Sequence, residues 1–481
     1  MSSSGSAGRV TTTWRSWPSP GTPSAADPAP LCPHLSRSPR AEEDVPVTVL
    51  SADGVGTDHR RRARRALAAG SVGNFIEWYE FGVYGCFATV MAAAFFGGGA
   101  GSGGEGLVKT YASFALAFFF RPVGAALFGR VGDRAGRRPA LVLSVLLMTA
   151  ATAAIGLLPT RATLGAAAPW VLTSVRAVQG ISAGGEFGGA VSLMTESAPV
   201  GRRGLYGAWQ SFTVALGLLA GAGLAAVTAT AVGERALYDW GWRVPFLLAL
   251  PLGLVALWLR LRLDVPVVPE TGAREAAPQD AAPREVLRAV VLGIGRIMGW
   301  SAAGYAFLVV LPSYLQDTLG ATFQQALVAT CLANLGFALS ILPAGALSDR
   351  VGRRPVVTAG AGLVVLLTFP LMRVVQEDGV PLGVRGGALF LAGALVGLMA
   401  GPGPAMLAEM FPARLRCTGL GLAYALANAV FSGCAGLVIT ELLHRTADPD
   451  IPAYYAMAAC AVSGVALTTL RADDHRRALR G

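Results

Sequence analysis

The chain has 481 residues, 53% of them hydrophobic and only 14% charged. Soluble domains carry about 25% charged residues, so this composition excludes an ordinary soluble globule and implies an integral membrane protein. The net charge of +10 is almost all arginine, since Lys109 is the only lysine, and most arginines fall in short turns between apolar runs; that placement follows the positive-inside rule, and no nucleic-acid signature accompanies it.

Residues 1–65 are rich in Ser, Pro and Arg and lack apolar periodicity. They read as a disordered basic tail, with a translation start nearer Arg60 as the competing reading. No apolar core follows a basic start, so they are not a signal peptide. Residues 66–260 hold six apolar runs, at 71–96, 107–130, 139–159, 169–195, 206–230 and 241–260. Each is near the roughly 20 residues that span a bilayer. Residues 261–287, with Pro266, Glu270, Arg274, Glu275, Asp280 and Arg284, read as a cytoplasmic linker. Six more runs fill 288–470, at 288–315, 324–347, 355–373, 385–408, 417–443 and 452–470, and 471–481 form a short cytoplasmic tail. The expected fold is an all-α membrane protein: twelve transmembrane helices in two pseudo-symmetric six-helix bundles.

Two strings occur twice. Asp-Arg-x-Gly-Arg-Arg-Pro begins at Asp133 and again at Asp349, an offset of 216. Glu-x-x-Pro-x-x-x-Arg runs from Glu196 to Arg203 and from Glu409 to Arg416, an offset of 213. Two motifs at nearly one offset imply a duplication into parallel six-helix halves, the arrangement carriers use for alternating access. Arginines crowd alternate turns and both ends, which places both termini in the cytoplasm. The bland reading of the repeated turn is a positive topology anchor. The sharper one is a cytoplasmic gate built from Asp133, Arg134, Arg138, Glu196, Arg203, Asp349, Arg350, Arg354, Glu409 and Arg416, with the two glutamates as partners for the arginines.

Charges also lie inside the runs. Asn74, Glu77, Glu80 and Tyr84 recur at three- and four-residue spacing and share one face of the first helix. Arg176, Gln179, Ala183 and Glu186 do the same in the fourth, beside a face carrying Gly180, Gly184 and Gly188 that permits close packing. A charge at bilayer depth costs roughly 2.5–3.5 kcal/mol on insertion scales, so these groups should face partners or a wet cavity. Glu77, Glu80, Arg121, Arg176, Gln179, Glu186 and Tyr305 are the candidates for proton coupling and substrate contact. Structural pairing of Glu77 or Glu80 with Arg121 or Arg176 is the alternative. Arg296, near the start of the seventh helix, most simply snorkels to the cytoplasm.

The six cysteines form no CxxC pair and read as small buried hydrophobes; the four histidines lie outside helix centres. No metal or cofactor is expected, and the energy source would be a proton gradient. The single lysine lies in no phosphate-binding loop, and no nucleophile cluster is visible, so the chain is not expected to be an enzyme.

Gly129-x-x-x-Asp133-Arg134-x-Gly136-Arg137-Arg138, repeated at Gly345–Arg354, resembles the signature loop of the major facilitator superfamily. The string Gly73–Gly85 and the string from Arg176 through Gln179, Gly180, Gly184, Gly185, Glu186, Gly188 and Gly189 to Ala190 are similar to the metabolite:proton symporter family. That family moves osmolytes such as proline and betaine, and carboxylates such as 2-oxoglutarate, citrate and shikimate. The likeness covers about residues 66–470; Glu80 stands where the family usually has Asp. It implies proton-coupled symport of a small carboxylate or zwitterion across the cytoplasmic membrane by a functional monomer. Antiporters of the superfamily commonly carry Gly-Pro in helix five, whereas Gly217–Gly223 has no proline. A drug or metabolite antiporter or exporter, and a non-transporting sensor on the same scaffold, are the alternative readings.

Overall fold

The computed structural model describes residue 67, residues 71–97, residues 104–262 without 136 and 185, and residues 283–470 without 412. The predicted tail 1–65 (residue 67 being the first described), most of the linker and the tail 471–481 lie outside the described residues.

All twelve apolar runs are helical. The first half comprises α1 (Ser71–Cys86 and Ala88–Phe96), α2 (Glu105–Ala135), α3 (Arg137–Leu157), α4 (Ala168–Ala183 and Glu186–Glu196), α5 (Arg203–Val232) and α6 (Glu234–Gly241 and Arg243–Leu259). The second comprises α7 (Leu287–Asp317), α8 (Phe323–Val351), α9 (Arg353–Gln376), α10 (Leu382–Ala408), α11 (Thr418–Thr446) and α12 (Ile451–Leu467). Eight of these are long and apolar enough to cross a bilayer unbroken; α1 and α6 add two as pairs bent by 65° and 42°. The remaining two are the interrupted α4 and the 17-residue α12. Leu254, Leu366 and Val465 are 60%, 69% and 71% exposed on outer faces, which suits hydrocarbon rather than water.

The sequence predicts one unbroken fourth helix, but α4 stops at Ala183 and restarts at Glu186. Glycine weakens a helix by roughly 1 kcal/mol, and the first segment ends with Gly184 as its C-cap. Gly184 also lies against the Arg121 carbonyl of α2, where a Cβ has no room. Prolines break α10. Pro404 has no N–H for the Ala400 carbonyl four residues back. Ser211 of α5 donates to that carbonyl at 2.8 Å, so the freed acceptor is satisfied from the other half. In α7, Pro312 likewise frees the Leu308 carbonyl, which faces Asn334 Nδ2 of α8 at 3.4 Å.

The duplication governs packing as well as sequence. A Cβ on Gly180 of α4 would sit on the Ala117 carbonyl oxygen of α2, and one on Gly393 of α10 would sit on that of Ala333 in α8. Ala117 and Ala333 differ by 216, and Gly180 and Gly393 by 213, the offsets of the two repeated motifs. Glycine is required at both places because two helix backbones touch there.

Candidate functional site

The halves are joined at the end bearing the repeated turns. The Asp349 carboxylate accepts from the backbone N–H groups of Gly204 (2.7 Å) and Leu205 (2.9 Å), the first turn of α5 in the other half. Those N–H groups have no intrahelical acceptor and carry the positive end of the helix dipole, so an anion belongs there. Arg353 holds Asp349 at 2.7 Å and Glu409 at 3.1 Å. Arg416 pairs with Glu196 across the halves at 2.7 Å. Arg350, Arg354 and Arg134, expected in the gate, are exposed; Arg203 is half-buried at the start of α5. The side chains of Asp133 and Arg138 lie outside the described residues. Arg353, which makes both of these pairs, was not among the predicted gate residues; its signal was the spacing of four from Asp349 on a helical turn. Asp349→Ala removes the acceptor at the α5 terminus, an expected cost of about 1–2 kcal/mol. It should speed labelling of Ser211→Cys, on the cavity wall, in a cysteine-free background; unchanged labelling would show that this contact does not hold the halves shut.

The opposite end is also bridged. Thr89 of α1 donates to Gln316 of α7 (3.1 Å), and Tyr111 of α2 shares a hydrogen bond with Ser313 of α7 (2.8 Å). Gly85 lets α1 approach α7, since a Cβ there would lie 2.8 Å from Val309.

Between the two ends lies a cavity. The first half contributes Trp78, Phe187, Gln210 and Ser211; the second contributes Trp300, Ser301, Tyr305, Tyr424, Asn428 and Ser432. Among the described residues, no Asp, Glu, Lys, Arg or His lines it. Phe187 and Tyr424 stack face to face across the halves with centroids 3.3 Å apart. Phe187, Gln210 and Tyr424 were not among the predicted site residues. Nothing in a single helix pattern distinguishes a cavity-facing aromatic from a packing one.

The predicted charges cluster beside this cavity rather than in it. Glu77 of α1 pairs with Arg121 of α2 at 2.9 Å, both nearly inaccessible. The Arg121 guanidinium lies over Phe118 (4.2 Å) and Phe81 (4.9 Å). Arg176 of α4 is fully buried, lies over Tyr84 (4.0 Å) and Phe114 (4.8 Å), and donates to Gln179 at 2.6 Å. Buried cation–π contacts of this kind are worth about 2 kcal/mol or more. Gln179 in turn donates to Thr152 of α3 at 2.6 Å, so both ends of its amide are occupied in holding Arg176. Glu80, 1% exposed, interacts electrostatically with Arg176. The Glu186 side chain lies outside the described residues. Tyr305 packs edge-on against Phe118 (5.6 Å) and Trp78 (6.1 Å), and with them it forms the wall between charges and cavity. Arg296 does not snorkel. It is 6% exposed and donates to Thr469 beyond the end of α12 at 2.9 Å.

The repeat is broken here. Applying the same offsets, Phe337 stands where Arg121 does, Leu389 where Arg176 does and Ala392 where Gln179 does. At these three positions the second half is apolar, although Arg296 stands 216 residues after Glu80.

A duplicated helical body whose halves meet around a cavity, with ionisable groups buried alongside, is the build of a secondary transporter. The chain belongs to the Major Facilitator Superfamily, which it matches over residues 71–436 and 302–480. It is 33% identical to the ectoine/proline transporter ProP of Corynebacterium glutamicum over 87% of this chain and 86% of that one. It is 33% identical to the proline/betaine transporter of Escherichia coli K12 (87% and 85% covered) and 34% identical to the alpha-ketoglutarate permease of the same organism (82% and 91%). Among solved structures, the proton:xylose symporter XylE superposes with a TM-score of 0.67 at 17% identity, covering 85% of this chain and 95% of that chain. That likeness concerns the fold.

Proposed function

We propose that the protein is a proton-coupled symporter that carries a small organic carboxylate or zwitterionic osmolyte across the cytoplasmic membrane by alternating access. The observation that carries this reading is the Glu77–Arg121 pair, buried beside a cavity that no described charge lines and separated from it by an aromatic wall. A carboxylate that gains or loses a proton next to a fixed guanidinium changes which arrangement of the halves is favoured, provided its affinity for the proton differs between them. Glu77 and Glu80 are the proton carriers in this proposal, and Arg176 sets the charge balance of Glu80. The relatives' names, which include proline, betaine, ectoine and alpha-ketoglutarate, support the substrate class. The turn-bearing end and both termini face the cytoplasm, no cofactor takes part, and a single chain suffices.

The test is uptake into proteoliposomes. With an acidic exterior, labelled proline, glycine betaine or 2-oxoglutarate should accumulate, and a protonophore should abolish accumulation. Uptake that ran only against the proton gradient would favour the antiporter reading instead. Substrate binding without any flux would favour the sensor.

A further inference from the structure

Two hydroxyls on one face of α7 stand out. Ser301 and Tyr305 are four residues apart, so their side chains lie one above the other on the helix. Both line the cavity. They are 2% and 4% exposed, and neither hydroxyl oxygen has a hydrogen-bond partner among the described residues. Buried polar groups are ordinarily bonded, and leaving one unmet costs roughly 1–3 kcal/mol, so two together mark a place where something polar belongs. The backbone agrees. The α-helix ends at Tyr305 and continues as a π-helical turn, Ala306–Val310, an irregularity that recurs at functional positions. Two other lining hydroxyls are already used, Ser211 donating to the Ala400 carbonyl and Ser432 to Asn428, and the Tyr424 hydroxyl also has Asn428 as a partner.

We infer that Ser301 and Tyr305 form the subsite for the carboxylate of the transported solute. Both hydroxyls donate to its oxygens. Among the described residues no cation lines the cavity to meet that carboxylate, so neutral donors do it, while the guanidinium of Arg121 acts from behind the Phe118 and Trp78 rings. The inference rests on the symporter reading and names its contact. It also assigns Tyr305 a second task. Its ring packs on the same two rings that carry Arg121, so seating a carboxylate on its hydroxyl places the solute's charge against the Glu77–Arg121 pair.

The experiment compares wild type, Tyr305→Phe and Ser301→Ala, purified and reconstituted, with proline, glycine betaine and 2-oxoglutarate as probes. Each substitution removes an unmet hydroxyl, so the empty carriers should melt at or above the wild-type temperature. The KM for the transported probe should rise about tenfold in each variant, equivalent to ~1.4 kcal/mol. Thermal stabilisation by that probe should fall in step. In Tyr305→Phe, protons taken up per solute should also drop. A lowered melting temperature with unchanged KM would mean that the hydroxyls are structural, and it would overturn the inference. So would variants that match wild type in every readout, as they would if water alone met these groups. A wild type that neither moves nor is stabilised by any probe would instead sink the symporter reading, and the inference with it.

Discussion

Gly180→Ala should abolish a well-folded carrier. The new methyl would meet the Ala117 carbonyl of α2, backbone against backbone, with no flexible side chain to yield. Overpacking typically costs about 1–3 kcal/mol, and a rigid obstacle places this site at the upper end or beyond. The same should hold for Gly393→Ala against Ala333 in the second half. Gly362→Ala, on an exposed face of α9 with nothing within 4 Å, is the control and should be neutral or stabilising by up to about 1 kcal/mol. Melting temperature and the yield of monodisperse protein in detergent would report all three. Equal melting of Gly180→Ala and Gly362→Ala would contradict the close approach of α2 and α4.

Glu77→Gln should be the most damaging change among the charges. It leaves the Arg121 guanidinium buried without its carboxylate, and breaking a buried pair from one side costs roughly 3–5 kcal/mol. Adding Arg121→Met removes the stranded charge and should restore most of the melting temperature, because an apolar replacement of a buried pair is often neutral. The double variant should still fail at proton-driven uptake if Glu77 carries the proton. Recovery of both stability and coupled uptake would reduce the pair to a structural fastening.

The glycine contact and the charge pair were legible to different degrees. Gly180, Gly184 and Gly188 at intervals of four announced a close-packed face, because helical periodicity makes neighbours of such residues. The sequence could not name the Ala117 carbonyl as what they meet. Pairing of Glu77 with an arginine was readable as a need, since an unmet charge in hydrocarbon is costly. Arg121 and Arg176 were equal candidates until the fold set Arg121 against Glu77 and gave Arg176 to Gln179 and a cage of rings. At the turn-bearing end, both repeated motifs were visible, but Asp349 capping α5 is a contact between residues about 145 positions apart.

By itself, then, the sequence determined the membrane environment, the twelve helical segments and their duplication into two halves. Those follow from local composition and from offsets that need no third dimension. It also determined that charges are buried in the first half. Only the tertiary structure decided that they stand behind an aromatic wall, that no described charge lines the cavity, and that Ser301 and Tyr305, which line it, carry hydroxyls with no hydrogen-bond partner among the described residues. The physical reason is that burial is a property of all the helices packed against a residue. A serine or tyrosine on an apolar helix has the same neighbours in sequence whether it faces lipid, another helix or the solute.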